Sequence, residues 1–252
     1  MSKLGINDRP ANIWNVDETG VQDHVVPKRV VNEIGKPCHH ITTGENGETK
    51  TVVACFNAFG KYMPPVVIFQ GKRCQPEWMD GEPQNTILRM SDNGWITTNI
   101  FMNWGELFLS QLPKNDEIPH LLLLDDHGSR LYNLNFLRAM RAHTPRVEVW
   151  CFLPHSTHVL QPADVAVFRS LKHYWNEQGL AAARETGGRK LSKSEFFSIF
   201  TPAWHMLTTV ENAQSGFRKT GICPFNSHIL LDSVVSPSFT TEIYLEHGEA
   251  RN

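Results

Sequence analysis

Two short apolar runs, each ending in acidic residues, stand out along the chain. The later run contains four consecutive leucines and leads directly into Asp125 and Asp126. A run this short, without helical periodicity, predicts a strand that is buried on both faces of a covered sheet. The earlier run begins at Ile13 and leads into Asp17 and Glu18. Because an ionised carboxylate at the end of a buried strand is costly unless a cation or hydrogen bonds compensate it, both strand ends are candidate sites of chemistry.

Strand-forming residues also dominate three other segments, at residues 49–59, 65–70 and 147–153. The first two are separated by a turn that contains glycine and proline, and they predict a hairpin. Together with the strand at Ile13 they predict three antiparallel strands. Residues 71–95 are rich in Gly, Pro, Asp and Asn and show little periodicity, which predicts a long irregular connection.

Apolar residues at helical spacing predict helices over residues 98–112, 133–142, 195–207 and 211–217. A further helix is predicted to begin at Pro162, because the first helical turn tolerates proline. It carries Asp164 in its first turn, where the helix dipole favours an acid. Capping is therefore an alternative role for Asp164, as turn formation is for Asp17 or Glu18. The strand–helix–strand alternation through the middle of the chain predicts a right-handed parallel crossover.

Charge and cysteine content narrow the range of functions. The formal net charge of −2 provides no overall basic field, which argues against a stand-alone DNA-binding module but not against an enzyme that binds DNA through one face. The chain shows neither a secretion signal nor an apolar stretch that predicts a membrane span. Its five cysteines include no CxxC pair and predict reduced thiols. The adjacent Cys38, His39 and His40 lack the spacing of a zinc site.

The predicted order of strands and helices is that of the ribonuclease H-like fold, an α/β fold with a mixed five-stranded sheet flanked by helices. In that plan the ends of the first and fourth strands lie side by side, and a helix after the fifth strand brings a third acid to them. Asp17, Asp125 and Asp164 occupy these three positions. Hard oxygen ligands suit Mg²⁺ or Mn²⁺, and two such ions about 3.5–4 Å apart can drive phosphodiester chemistry.

Five segments carry a resemblance to a known family: NVDETG (15–20), NAFGKYMPPVVIFQGKR (57–73), LLLLDDHGSR (121–130), LPHSTHVLQPADVAVFRSLKHYW (153–175) and SGFRKTGICPFN (215–226). In this consistent order they resemble the DDE superfamily endonuclease domain. The branch is that of the pogo, Tigger and jerky transposases and their domesticated relatives such as centromere protein B. Enzymes of this family cut phosphodiester bonds at transposon ends and join the 3′-hydroxyls to target DNA.

The resemblance implies a catalytic and metal-binding triad of Asp17, Asp125 and Asp164 that holds two Mg²⁺ or Mn²⁺ ions. Polar residues implied beside it are Glu18, Asp126, His127, Ser129, His158 and Gln161. Asp126 departs from the usual Gly or Asn, and Arg130 replaces a usual histidine. The basic residues predicted to contact DNA are Lys172, Arg218 and Lys219, although a solvated helical face is a simpler account of the region around Lys172.

We expect residues 1–232 to form the catalytic domain and residues 233–252 a poorly ordered tail. We also expect the helix-turn-helix DNA-binding modules of the family to be absent. DNA is the predicted partner, with nuclear localisation, association into a homo-oligomer and no membrane contact. Three functions stay open: a metal-dependent DNA endonuclease and strand transferase, a domesticated or decayed relative that binds DNA or protein without catalysis, and a ribonuclease H-like RNA nuclease. The intact acids favour the first.

Overall fold

A mixed sheet of six strands forms the centre of the protein. The computed structural model describes residues 1–23, 48–113, 117–125, 133–153, 156–187, 189 and 191–229. The strands are β1 (Ile13–Gln22), β2 (Thr49–Asn57), β3 (Val66–Gln70), β4 (Ile87–Ser91), β5 (His120–Leu124) and β6 (Val147–Cys151). Their order across the sheet is β4-β3-β2-β1-β5-β6. The pairs β1–β2 and β2–β3 are antiparallel, and the other three are parallel.

The sixth strand corrects the prediction of a five-stranded sheet with an irregular connection over residues 71–95. Strand β4 lies inside that region and pairs in parallel with β3, with Ile87 opposite Val66. Only Leu88 and Ser91 of its five residues are buried, and the segment does not alternate regularly between apolar and polar residues, so the sequence carries no strong strand signal. The strand forms because β3 offers an open edge, which is tertiary context rather than local preference.

Six α-helices cover the sheet in the described residues. They are α1 (Thr98–Ser110), α2 (Leu134–Ala142), α3 (Thr157–Leu160), α4 (Phe168–Glu185), α5 (Phe196–Leu207) and α6 (Val210–Lys219). A π-helical segment, Ala163–Val167, runs directly into α4. Side-chain caps fix three of the starts. Thr97 accepts the Ile100 N–H at 3.3 Å, Asn133 accepts the Phe136 N–H at 3.1 Å, and Thr209 accepts the Asn212 N–H at 3.1 Å.

The alternation of side chains along β1 separates two hydrophobic cores. Ile13 and Val21 pack on one face with residues of α4, α5 and α6, whereas Trp14 and Val16 pack on the other face with residues of α1 and α2. Strand β5 divides in the same way, and Leu123 belongs to the first core. Odd-numbered residues of both strands therefore face α4. None of the described helices is long and apolar enough to cross a membrane. The tail predicted at 233–252 lies outside the described residues.

Candidate active site

The first two predicted acids lie within β1 and directly after β5. Asp17 is the fifth residue of β1, which continues to Gln22, so the prediction that Asp17 ends its strand is wrong, whereas Asp125 directly follows β5. The two strands pair in parallel, and the last pair of this ladder sets Asn15 opposite Leu123, two residues before Asp17 and Asp125 respectively. Asp17 is odd-numbered and lies on the face of β1 that α4 covers. Asp17 is only 5 % exposed, and Asp125 is half-buried. The topology therefore brings the chain positions of the two acids to neighbouring strands.

The third predicted acid, Asp164, lies in the first turn of the π-helical segment and is exposed. The protein around the carboxyl nevertheless displaces part of its hydrating water, and this desolvation raises the pKa of Asp164 above the ordinary value. The positive charges of Lys172 and His158 act in the opposite direction and lower that pKa, so both side chains lie within electrostatic reach of Asp164. Two residues predicted around the third acid are therefore its neighbours in the fold.

Asn15 links the three elements that carry the acids. Its Oδ1 accepts the backbone N–H of Ala163 at 2.9 Å, and its Nδ2 donates to the backbone carbonyl of Leu123 at 3.0 Å. The side chain is fully buried, so both bonds form away from water. Asn15 precedes Asp17 by two residues, as Leu123 precedes Asp125. The sequence reasoning missed this residue, although a polar amide inside an apolar run was a signal.

Helix α6 approaches the start of the third-acid helix closely at Gly216. A Cβ built on Gly216 would lie 2.8 Å from the carbonyl oxygen of Pro162 and 3.2 Å from its Cβ. Only glycine allows the two segments to touch at this distance. Residues of the SGFRKTG segment thus act on the site by packing, because Gly216 sets the position of Pro162 and hence of the turn that carries Asp164.

Gln161 is a fully buried amide at the same place. Neither its Nε2 nor its Oε1 has a hydrogen-bond partner among the residues that the structure describes. Buried polar side chains almost always have partners, so an exception calls for an explanation such as a water, an ion or a ligand. An amide oxygen is also a hard donor of the kind that Mg²⁺ and Mn²⁺ accept. Gln161 is therefore a candidate supporting residue, three positions before Asp164.

The other predicted residues are distributed differently. Glu18 is even-numbered on the regular strand β1 and points to the face opposite Asp17, so the structure does not bring it to the acids. Arg218 is exposed and pairs with Glu211 at 2.9 Å, which offsets its charge, and Lys219 is exposed beside it. Several predictions lie outside the described residues, namely those for Cys38, His39, His40, Asp126, His127, Ser129 and Arg130.

Asp17 and Asp125 are chemically suited to bind a hard divalent cation, but the described residues do not form a complete metal site. Asp17 and Asp125 supply carboxylate oxygens from neighbouring strands, and Mg²⁺ commonly takes only one or two protein carboxylates. Within the described part of the chain, however, no group of three or more His, Cys, Asp or Glu side chains is arranged to hold a metal ion. Two carboxylates therefore fit the ion, and the complete triad stays a prediction.

Comparison with known protein families matches residues 47–217 to the family described as DDE superfamily endonuclease. The match includes Asp125 and Asp164 and begins after Asp17. A relative in Cochliobolus lunatus, described as MFS-type transporter clz9, is 29% identical over 192 residues. That alignment covers 75% of this chain but only 20% of the relative, so the chain spans about a fifth of that protein's length.

Solved structures of the Mos1 transposase share the fold. The paired-end complex with the left transposon end is 13% identical, has a TM-score of 0.55, and covers 92% of this chain and 59% of that one. The Mos1 paired-end complex with Mg is 15% identical with a TM-score of 0.53 and the same coverage. The Mos1 strand transfer complex, at 13% identity and a TM-score of 0.53, covers 87% of this chain and 55% of that one. The predicted ribonuclease H-like fold is thus confirmed.

The family match spans more than half of the chain, and the fold agrees with it. Asp17 lies within β1, and Asp125 directly follows the neighbouring strand β5. The chain therefore belongs to the DDE superfamily endonucleases.

Proposed function

We propose that this chain is the catalytic domain of a transposase-derived DNA endonuclease of the pogo, Tigger and jerky branch. It cleaves phosphodiester bonds with Mg²⁺ or Mn²⁺ and transfers the resulting 3′-hydroxyl ends to DNA. The observation that carries the proposal is the parallel pairing of β1 with β5, whose last pair lies two residues before Asp17 and Asp125. The bond from Asn15 to the helix that presents Asp164 brings the third acid's element to these strands.

In this proposal Asp17 and Asp125 hold the divalent cations, and Asp164 completes the set. The cations, when bound, would neutralise the carboxylates and polarise the scissile phosphate. The protein's own contribution is to orient the acids through Asn15 and to attract the phosphate backbone with Lys172. The π-helical segment at the third acid supports a site here, because such segments occur frequently at functional sites.

The proposed transposase branch rests on the sequence motifs, and the proposed partner, oligomeric state and localisation rest on analogy with the structural relatives. The five matching segments, and an Asp in the third position, favour the pogo, Tigger and jerky branch. Among the relatives, Mos1 transposase is described in paired-end and strand transfer complexes, and with Mg and with Mn. By analogy, we propose DNA as the partner, action as a homo-oligomer, and localisation in the nucleus.

A second candidate function is DNA binding without cleavage, in a domesticated or decayed relative. Two observations favour it. Asp164 is exposed rather than enclosed with the other acids, and the described residues hold no group of three side chains ready to bind a metal. Under this alternative the acids would persist for structural reasons, such as capping and turn formation.

Metal binding and plasmid nicking separate the two functions. We would titrate Mn²⁺ into the wild-type chain, the Asp125→Asn variant and the Asp80→Asn variant by calorimetry, and assay nicking of supercoiled plasmid. Asp80 is an exposed aspartate outside the site and serves as the matched control. We expect binding and nicking to be lost only in Asp125→Asn. A wild-type chain that binds no Mn²⁺ and leaves the plasmid intact would establish the non-catalytic function instead.

A further inference from the structure

An open groove of about 1020 Å³ lies beyond the acids at the far end of β1. Its floor is formed by Gly20, Val21 and Gln22, which continue the strand past Asp17. Residues of helix α4 and Trp95, which follows β4, also line the groove. Because α4 directly continues the segment that carries Asp164, with Arg169 and Lys172 five and eight residues further along, the groove lies along the helix that extends from the third acid.

Hydrogen bonds fix the backbone around Trp95, which lines the groove. Its carbonyl accepts the Ser91 hydroxyl at 2.8 Å, and its N–H donates to the Asn93 side chain at 3.1 Å. The preceding Gly94 carbonyl accepts the Thr51 hydroxyl at 2.8 Å, which ties the turn to β2. The Trp95 side chain is nevertheless 54% exposed. A large aromatic ring held in place yet left in water is a ready surface for a flat ligand.

The α4 wall of the groove is basic. Arg169 and Lys172 are exposed there one helical turn apart, with His173 beside Lys172. His173 lies 3.4 Å from Glu177, which is outside the groove lining. None of the described lining residues is acidic. Basic side chains and an exposed aromatic ring that line the same groove match a nucleic-acid strand, which presents both phosphates and bases.

We propose that this groove is a subsite for single-stranded DNA, in which Trp95 stacks an unpaired base while Arg169 and Lys172 contact the adjacent phosphates. A base can reach an aromatic face only when it has left its own stack, so the subsite takes a strand that is separated from its complement. The inference deepens the proposed DNA endonuclease function, since it assigns a strand path that leads to Asp164.

The test measures binding of a labelled 12-nucleotide DNA strand by fluorescence anisotropy in EDTA, so that cleavage plays no part. We expect Trp95→Ala to weaken binding about tenfold, the range typical for loss of one stacked base, and Trp95→Phe to restore most of it. Replacing the bases by abasic sites should weaken binding to the wild-type chain but not further weaken binding to Trp95→Ala. Lys172→Ala should reduce the slope of log affinity against log salt by about 0.7.

Phe59→Ala and Lys61→Ala are the matched controls. Both residues are exposed in the turn between β2 and β3, away from the groove lining, and both variants should bind the strand like the wild-type chain. Circular dichroism verifies that every variant is folded. The proposal is overturned if Trp95→Ala binds the strand as tightly as the wild-type chain. It is also overturned if the loss is equal for abasic and normal strands, or if the wild-type chain binds only duplex DNA.

The nicking assay distinguishes failure of this subsite from failure of the endonuclease function. Plasmid nicking that depends on Asp125, together with strand binding that is independent of Trp95, would reject the subsite alone. Strand binding that depends on Trp95, in a chain that neither binds Mn²⁺ nor cuts, would reject the endonuclease and leave a single-strand-binding domain.

Discussion

The Oδ1 atom of Asn15 accepts a hydrogen bond at 2.9 Å from the backbone N–H of Ala163, a residue 148 positions further along the chain. Ala163 directly precedes Asp164, and the other side of the same amide binds the Leu123 carbonyl on β5. One buried side chain thus couples the two acid-bearing strands to the acid-bearing helix. Such fully satisfied buried polar groups fix a unique arrangement.

Asn15→Leu should destabilise the fold and disable the site. The substitution leaves the Ala163 N–H and the Leu123 carbonyl buried without their partner, and each such group costs about 1–3 kcal/mol. We expect the free energy of unfolding, measured in urea, to fall by more than about 2 kcal/mol. The nicking rate of Asn15→Leu should fall by a larger factor than the fraction of folded protein does. Asn7→Ala, at an exposed asparagine, should change neither quantity, and an active, fully stable Asn15→Leu would refute the positioning role.

Gln161→Met should raise the stability of the fold and abolish the nicking activity. Because neither polar atom of this buried amide has a partner in the described part of the chain, replacing it by an apolar side chain of similar size removes a desolvation penalty. We expect the free energy of unfolding to rise by about 1–2 kcal/mol while nicking is lost. Gln84→Met, at an exposed position, is the control and should do neither. Unchanged nicking in the stabilised variant would show that the Gln161 amide has no part in the site.

Gly216→Ala should shift the position of Asp164, although Gly216 itself packs against Pro162. The new Cβ would lie 2.8 Å from the Pro162 carbonyl oxygen, a backbone atom that cannot move aside without shifting the turn before Asp164. We expect a loss of about 1–3 kcal/mol in the free energy of unfolding and reduced nicking at temperatures where the variant is folded. Ser215→Ala, one residue away on α6, is the matched control. A stable and active Gly216→Ala would mean that the helix can slide by the required distance.

Glu195 should make stability depend on pH in the acidic range. Hydrogen bonding to Arg189, followed by that to Ser192, lowers the pKa of the Glu195 carboxyl to about 2. Because the folded-state pKa lies below that of the unfolded chain, the contribution to stability is present above about pH 4.5 and is lost as the pH falls towards 2. The pair is on the surface, so its full effect is small, about 1 kcal/mol or less.

The comparison of wild type with Glu195→Gln measures this contribution. The difference between their free energies of unfolding should shrink as the pH is lowered from about 4.5 to about 2. Glu106→Gln, at an exposed glutamate of α1, is the control for the effect of low pH on the stability of any variant that lacks one surface carboxylate. A difference that stays constant over this range would show that the Arg189 contact does not act on Glu195 in solution.

The sequence by itself determined the element types, the fold class and the family, because these follow from local apolar patterns and from motif order. The buried strand before Asp125, the crossover that follows it and the helix that begins near Pro162 were all predicted and are confirmed. Strand β4 was missed, since a short half-buried edge strand becomes a strand only when a neighbour offers its edge.

Tertiary structure decided how the predicted acids relate to one another. The pairing of β1 with β5 brings the segments that carry Asp17 and Asp125 to neighbouring strands, and the alternation of β1 turns Glu18 to the face opposite Asp17. The bond between Asn15 and Ala163 and the close approach of Gly216 join residues that are far apart in the chain. Such contacts depend on the packing of several elements at once, so they are properties of the folded protein and not of any single segment of its sequence.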